Sequence, residues 1–221
     1  MSKNLNLRLF TSIFLLVSLI LMFKYSVVFL SFMIIIFLFS WIEFNQLTNK
    51  IITKKKNIIN NFLIKFIIFC YLSFFFGIIV SIYIKFYPSL NLKLIFVLLV
   101  CVTSDIGGYI FGKTFKGKKL TKISPKKTYS GAFGSFILSL VIALIFNSKF
   151  SLSDTSVIVF LTILISFMCQ LGDLFVSYLK RKAKVKDTGN ILPGHGGILD
   201  RIDGILFALP FGLILIKYFI I

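Results

Sequence analysis

Apolar residues occupy this chain in long blocks, and its polar residues gather in the short stretches between them. Seven blocks stand out, at roughly 9–23, 26–44, 62–84, 92–111, 131–147, 155–179 and 204–221. Most approach the length a helix rising about 1.5 Å per residue needs to cross a ~30 Å hydrocarbon core. Residues 9–44 are almost unbroken apart from Lys24 and Tyr25. One helix over that stretch would rise about 54 Å, so the pattern predicts a tight hairpin at Lys24. The fold class expected is all-α, a polytopic transmembrane helical bundle of about seven spans.

Composition agrees with that pattern. Hydrophobic residues make up 58% of the chain, Phe alone occurs 28 times, and the mean hydropathy is +0.99. A soluble domain of this length could not hide so much apolar surface. The N-terminus runs straight into apolar sequence with no small-residue cleavage pattern, which predicts a retained first span. Cys70, Cys101 and Cys169 lie inside apolar blocks with no metal-ligand spacing, as small buried residues do.

A formal net charge of +18 could suggest a nucleic-acid partner, but its placement argues otherwise. With the N-terminus in the cytosol and seven alternating spans, nineteen Lys and Arg fall on inside segments. Only Lys24, Lys85, Lys93 and Lys149 fall outside. That asymmetry follows the positive-inside rule, and anionic lipid headgroups account for the rest, so no nucleic acid is expected. Residues 1–90 carry few motifs and read as an N-terminal transmembrane scaffold with a lipid-facing or oligomer surface, a homodimer being one option. Residues 91–221 read as the catalytic transmembrane region, with cytosolic loops at 112–130 and 180–203.

The chain has only seven acidic residues, and three of them, Asp187, Asp200 and Asp203, sit within Ser177–Asp203. Six Lys or Arg, four Gly and the sole histidine, His195, share that stretch, with Asp173 just upstream. Carboxylates gathered beside cations and Gly-rich backbone suit phosphate and a divalent cation. On a continued helix Asp173, Ser177, Lys180 and Arg181 share one face. A charge in the apolar run around Asp173 is costly unless paired, hydrated or bound to a cation. The plain alternative is neutralisation by Lys180 or Arg181. Gly196 and Gly197 would let backbone N–H groups approach a phosphate. Asp200 and Asp203, three apart at the start of the last span, could join Asp173 on one ion, though one of them serves equally as a helix cap. His195 could orient phosphate or relay a proton, or simply occupy a turn. Farther upstream, Asp105 sits near the cytosolic end of the fourth span, and Ser124, Pro125, Lys126 and Lys127 follow in a Lys-rich loop. Paired Lys suit a triphosphate as point charges, whereas a bare Lys run would be only a solvated inside loop.

These residues resemble a known family. Ser177, Lys180, Arg181, Lys186, Asp187, Gly189, Leu192, Pro193, His195, Gly196, Gly197, Asp200, Arg201 and Asp203 are similar to the signature of phosphatidate cytidylyltransferases, or CDP-diacylglycerol synthases. QLGDL at 170–174, SPKKT at 124–128 and SDIGGY-x-x-GK at 104–113 look like the same family in the same order. The resemblance implies an integral enzyme of the bacterial inner membrane, with its active site facing the cytosol. Its partners would be CTP, phosphatidate and membrane lipids, and its product CDP-diacylglycerol. It implies Mg2+ on Asp173, Asp200 and Asp203. Asp173, Asp200, Lys180, Arg181, Lys186 and Asp187 would carry catalysis. Ser124, Lys126, Lys127, Ser177, His195, Gly196, Gly197, Arg201 and Asp105 would bind substrate. One departure stands out, because Ser130 replaces the family's usual Glu. The competing classes are a CTP-dependent polyprenol kinase, a non-catalytic transporter or scaffold, and an inactive family member.

Overall fold

The structure, a computed structural model, describes residues 24–52, 58–86, 90–121, 123–191 and 196–219, together with 13, 17, 18 and 20–22. Seven helices are described: α1 Ser26–Ile52, α2 Ile58–Phe86, α3 Leu90–Phe115, α4 Tyr129–Phe150, α5 Thr155–Lys182, α6 Leu199–Ile202 and α7 Ile205–Phe219. No strand is formed among the described residues, where Lys119 and Thr128 make an isolated antiparallel bridge. The all-α expectation therefore holds. Five helices, α1 to α5, are long and apolar enough to cross a membrane. The chain is an integral membrane protein. The expected span at 204–221 is instead the 15-residue α7, which rises only about 22 Å and carries Pro210. The expected span at 9–23 lies mostly outside the described residues.

The hairpin expected at Lys24 is not formed as drawn. Among the described residues there, only Tyr25 departs from helix. Its N–H donates to the Leu21 carbonyl, and its own carbonyl accepts from Phe29 N–H. Helical hydrogen bonding continues through the position, leaving none of the 2–5 loop residues a helical hairpin uses. At the other end α1 runs eight residues past the predicted boundary, because EFNQLTNK contains neither Gly nor Pro to stop it.

The chain divides into two compact units. Residues 1–84 and 179–202 form the first. Its core includes Phe29, Phe44, Leu47, Leu72, Ile79, Tyr83 and Leu199. Phe29 stacks on Tyr83 with ring centroids 3.8 Å apart, and Phe69 meets Trp41 edge-on. Residues 85–178 and 203–221 form the second unit. Its core comprises Phe96, Val97, Val100, Ile158, Leu161, Ile165, Leu206 and Leu213, and Ser104 and Ser166 are hydrogen-bonded at 2.9 Å inside it. Large apolar side chains that remain exposed, such as Phe62 and Phe133, suit contact with lipid.

In the second unit α3 and α4 pack backbone to backbone through small residues, the usual device where lipid removes any hydrophobic drive between helices. A Cβ on Gly107 would strike the Gly134 carbonyl, and one on Gly131 would lie 2.7 Å from the Gly108 carbonyl. Gly107→Ala is therefore expected to destabilise the protein by about 1–3 kcal/mol, since backbone cannot yield as a side chain can. Gly77→Ala, with nothing within 4 Å of the new methyl, is the control that should not. Thermal unfolding in detergent compares them, and equal midpoints would contradict the packing argument.

Candidate active site

Two constellations take shape, one in each unit. In the second unit the loop from α3 to α4 folds back on itself. Leu120 N–H donates to Lys127 carbonyl at 2.8 Å, and Tyr129 N–H to Lys118 carbonyl at 3.1 Å. Ser124 to Lys127 is a β-turn closed by Lys127 N–H on the Ser124 carbonyl at 3.0 Å, with Pro125 at its favoured second position. Ser124 therefore serves the turn through its backbone. Thr128 caps α4 by accepting Gly131 N–H at 3.1 Å. Ser130, the residue at the departure noted above, donates its hydroxyl to the Lys116 carbonyl and so ties the loop's start to its end.

That folding aims Lys127 at Asp173, and the two form an ion pair. The partner of Asp173 is thus Lys127, a residue 46 positions away, rather than Lys180 or Arg181 on its own helix. The pair borders a cavity of about 240 Å³ that Asp105, Tyr109, Lys126, Thr128 and Gln170 also line. Asp105 additionally accepts from the Cys169 thiol at 3.8 Å. Two carboxylates, two lysines and an amide therefore face one space. Carboxylate and amide oxygens in the lining suit a hard divalent cation, and the lysines suit phosphate.

In the first unit α5 ends in a Schellman turn. Lys184 takes a left-handed φ of 56°, Val185 N–H reaches the Lys180 carbonyl, and Lys184 N–H reaches that of Arg181. The chain then loops to α6, where both oxygens of Asp200 are engaged. Oδ1 takes the Lys180 ammonium at 2.7 Å. Oδ2 takes Thr188 N–H at 2.8 Å, Thr188 Oγ1 at 3.0 Å and Gly197 N–H at 3.1 Å. Burial opposes ionisation of Asp200, but the Lys180 hydrogen bond, the Thr188 amide, the Lys180 charge and the Gly197 amide outweigh it. Its carboxyl is held below the usual carboxylate range.

The remaining expected residues divide clearly. Arg181, Lys186, Asp187 and Arg201 are exposed, and Ser177 is half-buried in α5. Gly196 has a φ of +83° and packs against Asp200 and Asp187, so a Cβ there would be strained and crowded. Gly197 spends its N–H on Asp200, which removes that amide from phosphate binding. His195 lies outside the described residues. Asp200 and Asp203 were expected together at the start of the last span. Asp200 instead belongs to the separate short helix α6, while Asp203 Oδ1 accepts Gly204 N–H at 3.1 Å ahead of α7. That bond to the adjoining N–H is not the N2 or N3 contact of a helix cap. Within neither unit do three or more His, Cys, Asp or Glu side chains gather as a metal-ligating group among the described residues.

Sequence reasoning passed over Glu43, in a region read as scaffold. It is buried in α1 and accepts Thr188 Oγ1 at 2.7 Å and the N–H groups of Ile198 and Leu199, each at 2.9 Å. The available signal was a rare carboxylate inside an apolar run, the same signal that singled out Asp173.

Residues 1–219 match the profile of the Cytidylyltransferase family. The chain belongs to that family. Curated relatives within the cytidylyltransferase family include the phosphatidate cytidylyltransferase of Bacillus subtilis (strain 168). It is 44% identical over 131 residues, 57% of this chain and 49% of the relative. The phosphatidate cytidylyltransferase of Helicobacter pylori (strain ATCC 700392 / 26695) is 40% identical over 131 residues, covering 58% and 47%. That of Rickettsia prowazekii (strain Madrid E) is 39% identical over 128 residues, covering 53% and 56%. The chain spans about half the length of the curated relatives it matches.

Proposed function

We propose that this cytidylyltransferase-family protein makes CDP-diacylglycerol and pyrophosphate from CTP and phosphatidate, in a bacterial inner membrane with its site facing the cytosol. The observation that carries the reading is the cavity where the Ser-Pro-Lys-Lys turn delivers Lys126 and Lys127 beside Asp105 and Asp173. Family membership and the names of the relatives support the same chemistry.

In the reaction a phosphate oxygen of phosphatidate forms a bond to the α-phosphorus of CTP, and the bond from that phosphorus to the bridging oxygen breaks, releasing pyrophosphate. Both reactants are anions, so repulsion and positioning set the barrier. Lys126 and Lys127 offset charge on the triphosphate, and Arg181, Lys186 and Arg201 are assigned to the lipid phosphate or departing pyrophosphate by their charge alone. The attacking phosphate is already ionised near neutral pH and needs little general-base help. Asp173 and Asp105 would hold Mg2+, with Gln170 beside them. Bound there, the ion would supply charge neutralisation across the triphosphate. Asp200 and Asp203 rank lower as ligands, because four donors already engage Asp200 and Asp203 spends an oxygen on the Gly204 N–H. A site at the membrane surface lets the acyl chains stay in lipid.

Purified protein given phosphatidate vesicles, Mg2+ and CTP labelled at either phosphorus tests this. The α label should enter extractable lipid and the γ label should leave as pyrophosphate. Lipid carrying the γ label would identify a kinase instead, and no label in lipid would reject both activities.

A further inference from the structure

We propose that Glu43 is a positioning residue that acts through Thr188 to hold Asp200 and residues 197–199 in working geometry. This rests on the nucleotidyl-transfer reading above and assigns a role in it to the N-terminal half of the chain. The ammonium of Lys180 pairs with Asp200, not with Glu43. Its carboxylate accepts from a hydroxyl and two successive backbone amides, all from the loop that carries the phosphatidate cytidylyltransferase-like motif. The loop is shaped to admit it. A Cβ on Gly197 would run into both Thr188 Oγ1 and the Glu43 carboxylate, and one on Gly189 would lie 2.7 Å from Glu43 Oε1. Both glycines thus leave room for a side chain delivered from another helix.

The link to Asp200 is a single hydroxyl. Thr188 Oγ1 lies 2.7 Å from Glu43 Oε2 and 3.0 Å from Asp200 Oδ2. A threonine hydroxyl carries one proton, so that proton is shared between two carboxylates and its position couples them. Asp200 in turn fixes Lys180. The order of dependence runs Glu43, Thr188, Asp200, Lys180. A buried carboxylate with satisfied donors is a rigid anchor, and misplacing a working side chain by about 1 Å can cost on the order of 100-fold in rate. Glutamine cannot replace Glu43, since its NH2 would face an N–H donor and leave it unpaired.

The test uses the full chain in detergent or vesicles. Glu43→Gln should lower kcat about 30-fold, within the range for groups that orient a site's working residues. KM for CTP should stay within about 3-fold, because the cavity lysines are untouched. Amide exchange in segment 196–199 should rise at least about tenfold, with α3 and α4 unchanged. Thr188→Val should lower kcat about tenfold, and Thr188→Ser, which keeps the hydroxyl, should restore it to within about 2-fold. The threonine pair decides the matter should Glu43→Gln fail to fold. Unchanged kcat and exchange in Glu43→Gln, or equal activity of the Val and Ser variants, would overturn the proposal. An unmodified chain inactive on CTP and phosphatidate would instead overturn the proposed function, and the exchange measurement would still judge the anchoring by Glu43.

Discussion

Asp173→Asn is expected to reduce CTP-dependent formation of CDP-diacylglycerol at least about 1000-fold, with protein abundance near normal. Asparagine keeps the shape of the side chain and removes its charge. The loss corresponds to about 4 kcal/mol of transition-state stabilisation, the scale seen when a preorganised electrostatic group is taken from a site. A structural alternative exists, since Asp173 could merely neutralise Lys127 beside it. Combining Asp173→Asn with Lys127→Met separates the two. If the aspartate only neutralises the lysine, the pair of changes restores activity. If it holds the cation or orients the triphosphate, the double variant stays inactive. Rates of labelled CTP incorporation into lipid give the answer, and substantial activity in Asp173→Asn alone would defeat the assignment.

The second large effect is expected at Asp200, and it joins stability to pH. Asp200→Asn leaves Lys180 without its partner in a site where the two side chains are only 16% and 8% exposed. Breaking so buried a pair should cost about 3 kcal/mol. Loss of the lysine's anchor should also lower kcat about 100-fold. The sign of the pH effect follows from the direction of the shift. The folded carboxyl sits below its unfolded value of about 3.9, so its contribution is fully present above that pH and is lost as pH falls through the lower folded value. The unmodified protein should therefore lose stability in acid more steeply than Asp200→Asn, with the gap between them greatest near neutral pH. Denaturant midpoints in detergent from about pH 6 to pH 3 measure this. Parallel curves, or equal midpoints at pH 6, would remove Asp200 from the account.

Much of the scaffold was legible because apolar length is a one-dimensional property. The blocks at 62–84, 92–111, 131–147 and 155–179 each fall inside a described helix or overlap it closely. The errors came where local pattern was weakest. Two polar residues at 24 and 25 were given the power to reverse the chain, but helical hydrogen bonding passes through Tyr25. The last block, 204–221, is described as the apolar helix α7 as far as Phe219, shorter than the five spanning helices. Within the candidate site, residue types were readable and partnerships were not. Lys127 and Asp173 are both conspicuous, but only a folded Ser-Pro-Lys-Lys turn brings them together.

Sequence alone determined the class of environment and the stock of chemistry: long apolar helices for lipid, a handful of carboxylates, and lysines gathered mainly between the apolar blocks and at their ends. Those properties are sums over neighbouring residues, so they survive without coordinates. Tertiary structure decided which charge answers which, placing Lys127 on Asp173, Lys180 on Asp200, and Glu43 beneath the glycine loop. Hydrogen bonds and ion pairs act only over a few ångströms, and residues 43 and 198 reach that range only once the chain has folded.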